Sequence, residues 1–128
     1  MKPIVPIKIF SLNKTSKNVN AVFDSGSYYT IVRTDKLPDN TNIIGEHQFF
    51  GTANKKGRLK IIGETILIIS IGKKMIKSEV LISDELGSDM LIGAQTMQCW
   101  DISIINKNGK TKINIEHDMR DPEINAVA

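Results

Sequence analysis

Apolar and polar residues alternate along much of this chain with a period of two. In Ile7-Lys8-Ile9 the isoleucines fall on one face and the lysine on the other, the spacing of a half-buried strand. Pro6 marks the start or an edge position of that strand. Asn13-Lys14-Thr15-Ser16-Lys17-Asn18 reads as a polar turn, and residues 19–23 as the returning arm of a hairpin. Residues 28–32 are aromatic and β-branched, a third strand, and a turn-rich connection around Pro38 follows. Residues 58–71 read as a long strand region broken at Gly63, and residues 75–82 as its partner across the Gly72-Lys73-Lys74 turn. Met90-Leu91-Ile92-Gly93 is a short apolar run of the kind found in buried strands. Residues 94–100 hold the one plausible helix, and Gly93 before it permits close backbone approach. The last strands, 101–105 and 111–115, flank Asn108-Gly109, a strong hairpin signal.

Strands recurring every 8–12 residues or so, with a single short helix, predict an all-β, barrel-like domain. It occupies residues 1–116, and the polar residues 117–128 are expected to form a flexible tail. A length of 128 residues suits one such domain. Hydrophobic residues make up 41% of the chain but aromatics only 5%, so isoleucine supplies the bulk and reinforces the strand assignment.

Charge removes some function classes. The net charge of +3 is spread over scattered lysines, with no basic arm and no aromatic platform, which argues against a nucleic-acid surface. No apolar run of about 18 residues is present, so no membrane span is expected. The first residues lack a signal-peptide apolar region, and the expected setting is cytoplasmic, or within a longer polyprotein. Cys99 is the single cysteine, which excludes an intrachain disulfide; it reads as a small buried hydrophobe. Trp100 reads as a core or interface anchor, and His47 and His117 as surface residues without the paired spacing of a metal site.

One short segment carries chemistry. Asp24 is approached through Ala21-Val22-Phe23 and left through Tyr28-Tyr29-Thr30-Ile31-Val32. A carboxylate between two apolar strands is costly unless it is satisfied. Gly26 can turn the backbone so that an amide N–H points at it, and the hydroxyls of Ser25 and Ser27 can donate. Asp-Ser-Gly is also ordinary turn chemistry, but hairpin turns usually have polar approaches, and this one has apolar flanks.

Asp24-Ser25-Gly26-Ser27 within these flanks resembles the signature of the retropepsin-like aspartic peptidases, which include retroviral proteases and the related domain of DNA-damage-inducible ubiquitin-shuttle proteins. Two further places match in order: residues 49–71 are similar to the family's flap hairpin and return strand, and Met90-Leu91-Ile92-Gly93 with its helix to the segment beneath the catalytic loop. The resemblance implies a closed or partly closed β-barrel with a flap hairpin and one short C-terminal helix. It implies Asp24 as the catalytic carboxylate, Ser25, Gly26 and Ser27 as support for its loop, and Ile92 and Gly93 as packing beneath it. Gly51, Thr52, Ala53, Asn54 and Gly57 would belong to a flap closing on an extended peptide. The implied reaction is peptide hydrolysis with no metal or cofactor.

Only one Asp-Ser/Thr-Gly motif is present, so a peptidase of this kind must be a homodimer with one Asp24 from each subunit. Three features depart from the retroviral pattern, one being a flap tip, Asn54-Lys55-Lys56-Gly57, that is more basic and less glycine-rich than the viral one. Ser25 replaces the commoner threonine, and Ala94 stands where the viral enzymes carry an interface arginine. The alternative expectation is a non-catalytic retropepsin-like module for peptide binding or dimerisation.

Overall fold

The computed structural model describes residues 2–45 and 59–121. Its elements are β1 (Ile4–Phe10), β2 (Ser16–Phe23), β3 (Ile31–Arg33), a 3-10 turn (Thr34–Lys36), β4 (Gly63–Ile71), β5 (Lys74–Ser83), β6 (Met90–Ile92), α1 (Ala94–Cys99), β7 (Ile102–Lys107) and β8 (Lys110–Ile115). The first six strands close into a barrel in the order β1-β2-β6-β3-β5-β4, and β7 and β8 form a separate two-stranded sheet.

Alternation puts one face of each strand inside. Along β4 the residues Gly63, Thr65, Leu67, Ile69 and Ile71 are buried, while those between them are partly exposed. Ile9, Leu67, Ile69, Ile76, Ile82, Met90 and Ile92 are fully buried. Each such side chain contributes about 1.5–3 kcal/mol over its exposed state. Closure through the pairing of Ile9 with Ile69 leaves the barrel without a long open edge.

The first hairpin turns earlier than its polar residues suggest. Phe10 pairs with Ser16 and Ile4 with Val22, so β2 takes in residues assigned from sequence to the turn. Ser11 makes this possible: its Oγ accepts the amides of Asn13 (3.1 Å) and Thr15 (3.2 Å), holding the reversal within residues 11–15. The β7–β8 hairpin turns where expected, with Asn108 and Gly109 both at positive φ (53° and 74°), the geometry that matches strand twist.

Three further expectations are corrected. Strand β3 begins at Ile31 rather than Tyr28, because the carbonyls of Ser27 and Tyr28 turn toward α1 instead of joining a strand ladder. In the region assigned to a strand over 58–71, regular β4 starts only at Gly63. Cys99 is exposed, because the short helix turns Thr96, Met97 and the following Trp100 inward and leaves Gln98 and Cys99 outside. Trp100 is anchored in the core, its indole N–H donating to the Lys77 carbonyl at 3.1 Å.

Residues 117–121 are docked against the barrel. The buried Asp118 accepts the Met75 amide at 3.0 Å, and the Met119 amide donates to the Met75 carbonyl at 2.8 Å. The rest of the expected tail, 122–128, lies outside the described residues.

Candidate active site around Asp24

Asp24 stands one residue beyond β2. Its amide donates to the Ile92 carbonyl at 2.9 Å, extending the parallel β2–β6 pairing in which Phe23 lies opposite Ile92. On the other side of β2, the Phe23 amide donates to the Pro3 carbonyl at 3.0 Å. The main chain at Asp24 is therefore fixed from both neighbouring strands before its side chain makes any contact.

The loop then reverses. The Ser27 amide donates to the Asp24 carbonyl at 3.1 Å, closing a turn, and the Gly26 amide donates to Asp24 Oδ1 at 2.9 Å. A Cβ on Gly26 would stand 3.1 Å from that same Oδ1, so a side chain there would press on the oxygen that the amide holds. The second oxygen, Oδ2, lies 2.9 Å from the Lys2 ammonium. The carboxylate is 15% exposed: it is oriented by the fold and still reachable.

The other loop residues have separate tasks. Ser27 is buried and donates its hydroxyl to the Tyr29 carbonyl at 3.1 Å, not to the Asp24 carboxylate. Ser25 is exposed. The Ser27 and Tyr28 carbonyls accept the amides of Ala94 (2.7 Å) and Gln95 (2.9 Å). These are first-turn amides, which a helix cannot satisfy internally. The loop thus serves as the N-terminal cap of α1, in the absence of a capping side chain at Gly93.

Ile92 and Gly93 lie directly against this loop. Ile92 is fully buried and supplies the carbonyl that holds Asp24; Gly93 is where the helix start meets the Ser27–Tyr29 backbone. Thr30, which the sequence reading passed over, completes the support. Its buried Oγ1 accepts the Gly93 amide at 3.1 Å and shares a hydrogen bond with Thr96 Oγ1 at 2.5 Å; Thr96 in turn bonds Ser78 at 2.8 Å. A hydroxyl inside an otherwise apolar run of sequence is the signal that could have found it. Lys2 was missed as well, because its position depends on hairpin register.

The flap residues Gly51, Thr52, Ala53, Asn54 and Gly57 lie outside the described residues. A cavity of about 270 Å³ is found elsewhere, between β5 and α1, lined by Ile66, Lys77, Ser78, Thr96, Cys99 and Trp100; it does not include Asp24. His117 stands in a different place, between Asp101 and Asp121.

A closed six-stranded barrel, one short helix and an Asp-Ser-Gly loop seated on the helix start define a retropepsin-like fold. The structure is similar to that of the EIAV protease complexed with the inhibitor HBY-793, with a TM-score of 0.57 at 19% identity over 82% of this chain and 93% of that one. It is also similar to the retroviral protease-like domain of Ddi1 from Leishmania major, with a TM-score of 0.59 at 15% identity over 94% of this chain and 98% of that one. No protein-family model and no curated protein sequence matches the chain. Among the described residues, no helix is long and apolar enough to cross a membrane.

Proposed function

We propose that this chain is an aspartic endopeptidase that acts as a homodimer, each subunit contributing one Asp24. The observation that carries the reading is the seating of Asp24: a main chain fixed by Ile92 and a carboxylate oxygen held by the Gly26 amide, on a retropepsin-like fold. Preorganised donors of this kind set a catalytic group before substrate arrives.

The chemistry needs two carboxylates. Side by side, they share one proton, because both cannot ionise cheaply. The ionised Asp24 removes a proton from water, whose oxygen attacks the scissile carbonyl carbon. The partner subunit's Asp24 gives its proton to the carbonyl oxygen. The tetrahedral intermediate collapses, the C–N bond breaks, and a proton passes to the leaving amine. Residues 1–116 form the catalytic domain, and residues 51–57 close over an extended peptide held by backbone hydrogen bonds. The enzyme works in the cytoplasm or within a longer polyprotein.

The test is cleavage of a peptide library at mildly acidic pH by wild type and Asp24→Asn. The expected result is cleavage by wild type, inhibition by a statine-containing peptide, and no cleavage by Asp24→Asn with the fold retained. Equal cleavage by the two proteins would sink the assignment. Peptide binding without turnover would establish the non-catalytic module instead.

A further inference from the structure

We infer that Lys2 is an intramolecular latch on Asp24, holding the single subunit in a closed state that a second subunit must open. This rests on the reading of Asp24 as half of a two-subunit site.

The position of Lys2 follows from strand register. In the β1–β2 hairpin Ile4 lies opposite Val22. One step outward, the Phe23 amide bonds the Pro3 carbonyl at 3.0 Å, so the pairing continues past the last formal ladder residue. The next step brings Lys2 across from Asp24, where its ammonium meets Oδ2 at 2.9 Å. Opposite charges facing one another on neighbouring strands attract. The contact is thus set by the hairpin that builds the barrel, and not by a chance reach of a long side chain.

Its consequence follows from the valence of the carboxylate. Oδ1 accepts the Gly26 amide and keeps one further acceptor site, whereas Oδ2 accepts no amide among the described residues and is the freer oxygen for a second carboxylate, for water or for substrate. Lys2 sits on that oxygen. The Lys2 side chain is 63% exposed, and the pair can open without unpacking any core residue. An ammonium 2.9 Å from Oδ2 would also stand in the space that the partner's carboxylate and the attacking water must enter. Assembly of the dimer and release of Lys2 are therefore the same event. A pair this exposed is weak and screened by salt, which suits a latch and not a lock.

The experiment compares wild type, Lys2→Gln and Lys2→Arg by sedimentation equilibrium, alongside peptide cleavage across a range of protein concentrations. Each subunit must release its own latch, so the per-subunit gain of about two- to fivefold counts twice in the dimer constant. Lys2→Gln is expected to dimerise at about 4- to 25-fold lower concentration at low salt, with a smaller gap in high salt, and to cleave at dilutions where wild type is silent. Lys2→Arg keeps the charge and is expected to stay close to wild type. A dimer constant for Lys2→Gln equal to that of wild type, or weaker, would overturn the latch; cleavage by both proteins would then leave the peptidase reading standing. A shifted constant with no cleavage by any of the three supports the latch and removes the peptidase reading. Absence of dimer at every concentration removes both.

Discussion

A Cβ placed on Gly93 would stand 2.3 Å from the Tyr29 carbonyl oxygen and 2.7 Å from that of Ser27. Both contacts are backbone, so no flexible side chain can move aside. The candidate catalytic loop and the start of α1 are pressed together at a position that lacks a side chain. Gly93→Ala is expected to destabilise the domain by about 1–3 kcal/mol or more, since overpacking a rigid site forces the backbone to shift. Chemical denaturation checks this. Any folded Gly93→Ala protein should also show altered amide signals at Gly26 and Ser27, because the loop must retreat from the helix.

Thr30 supports the same junction from below. Its hydroxyl accepts the Gly93 amide and pairs with Thr96, so Thr30→Val keeps the shape and strands a buried donor. The expected cost is about 1–3 kcal/mol, the penalty for an unsatisfied buried group. Thr30→Ser keeps the hydroxyl and should cost less. Equal melting temperatures for Thr30→Val and wild type would show that the network contributes nothing.

The barrel was legible in the sequence because its strands alternate, and the separate β7–β8 sheet because Asn108-Gly109 carries its own turn geometry. The Asp24 loop was legible because a carboxylate between apolar runs is conspicuous. What escaped depends on register and on contacts distant in sequence. The Lys2–Asp24 pair requires the turn to lie within residues 11–15, and that follows from Ser11 accepting two amides, not from the polar run beyond it. The late start of β3 depends on helix amides sixty-odd residues further along the chain capturing the Ser27 and Tyr28 carbonyls. Period-two reasoning sees neither.

The exposure of Cys99 has a simple consequence. A thiol on the outer side of α1 is open to reagent without unfolding. Native protein is expected to consume one equivalent of a disulfide reagent at a rate unaffected by mild stabilising conditions such as added sucrose. A rate that falls in step with increasing stability would mean that the thiol reacts only on opening.

Two acid–base groups tie residues 117–121 down, and they respond to pH in opposite directions. His117 lies 3.1 Å from Asp121 through Nδ1 and 3.1 Å from Asp101 through Nε2. The hydrogen bond to Asp121 raises its pKa; burial opposes the rise, and the charges of Asp101 and Asp121 with the hydrogen bond to Asp101 add to it. Its contribution is complete below the unfolded value of about 6.5 and is lost as pH rises through the higher folded value. Asp118 is the reverse case. The Met75 amide, followed by contacts with Arg120, lowers its pKa despite burial. Its contribution is present above the unfolded value of about 3.9 and is lost as pH falls through the lower folded value. Thermal melts of wild type and His117→Asn from about pH 5 to 9 should therefore differ most at the acidic end and converge at the alkaline end. Asp118→Ala should be less stable than wild type near neutrality, by about 1–3 kcal/mol for the stranded Met75 amide, with the gap narrowing in strong acid as the charge-dependent part is lost. A His117→Asn deficit that grows with rising pH would contradict the ion-pair assignment.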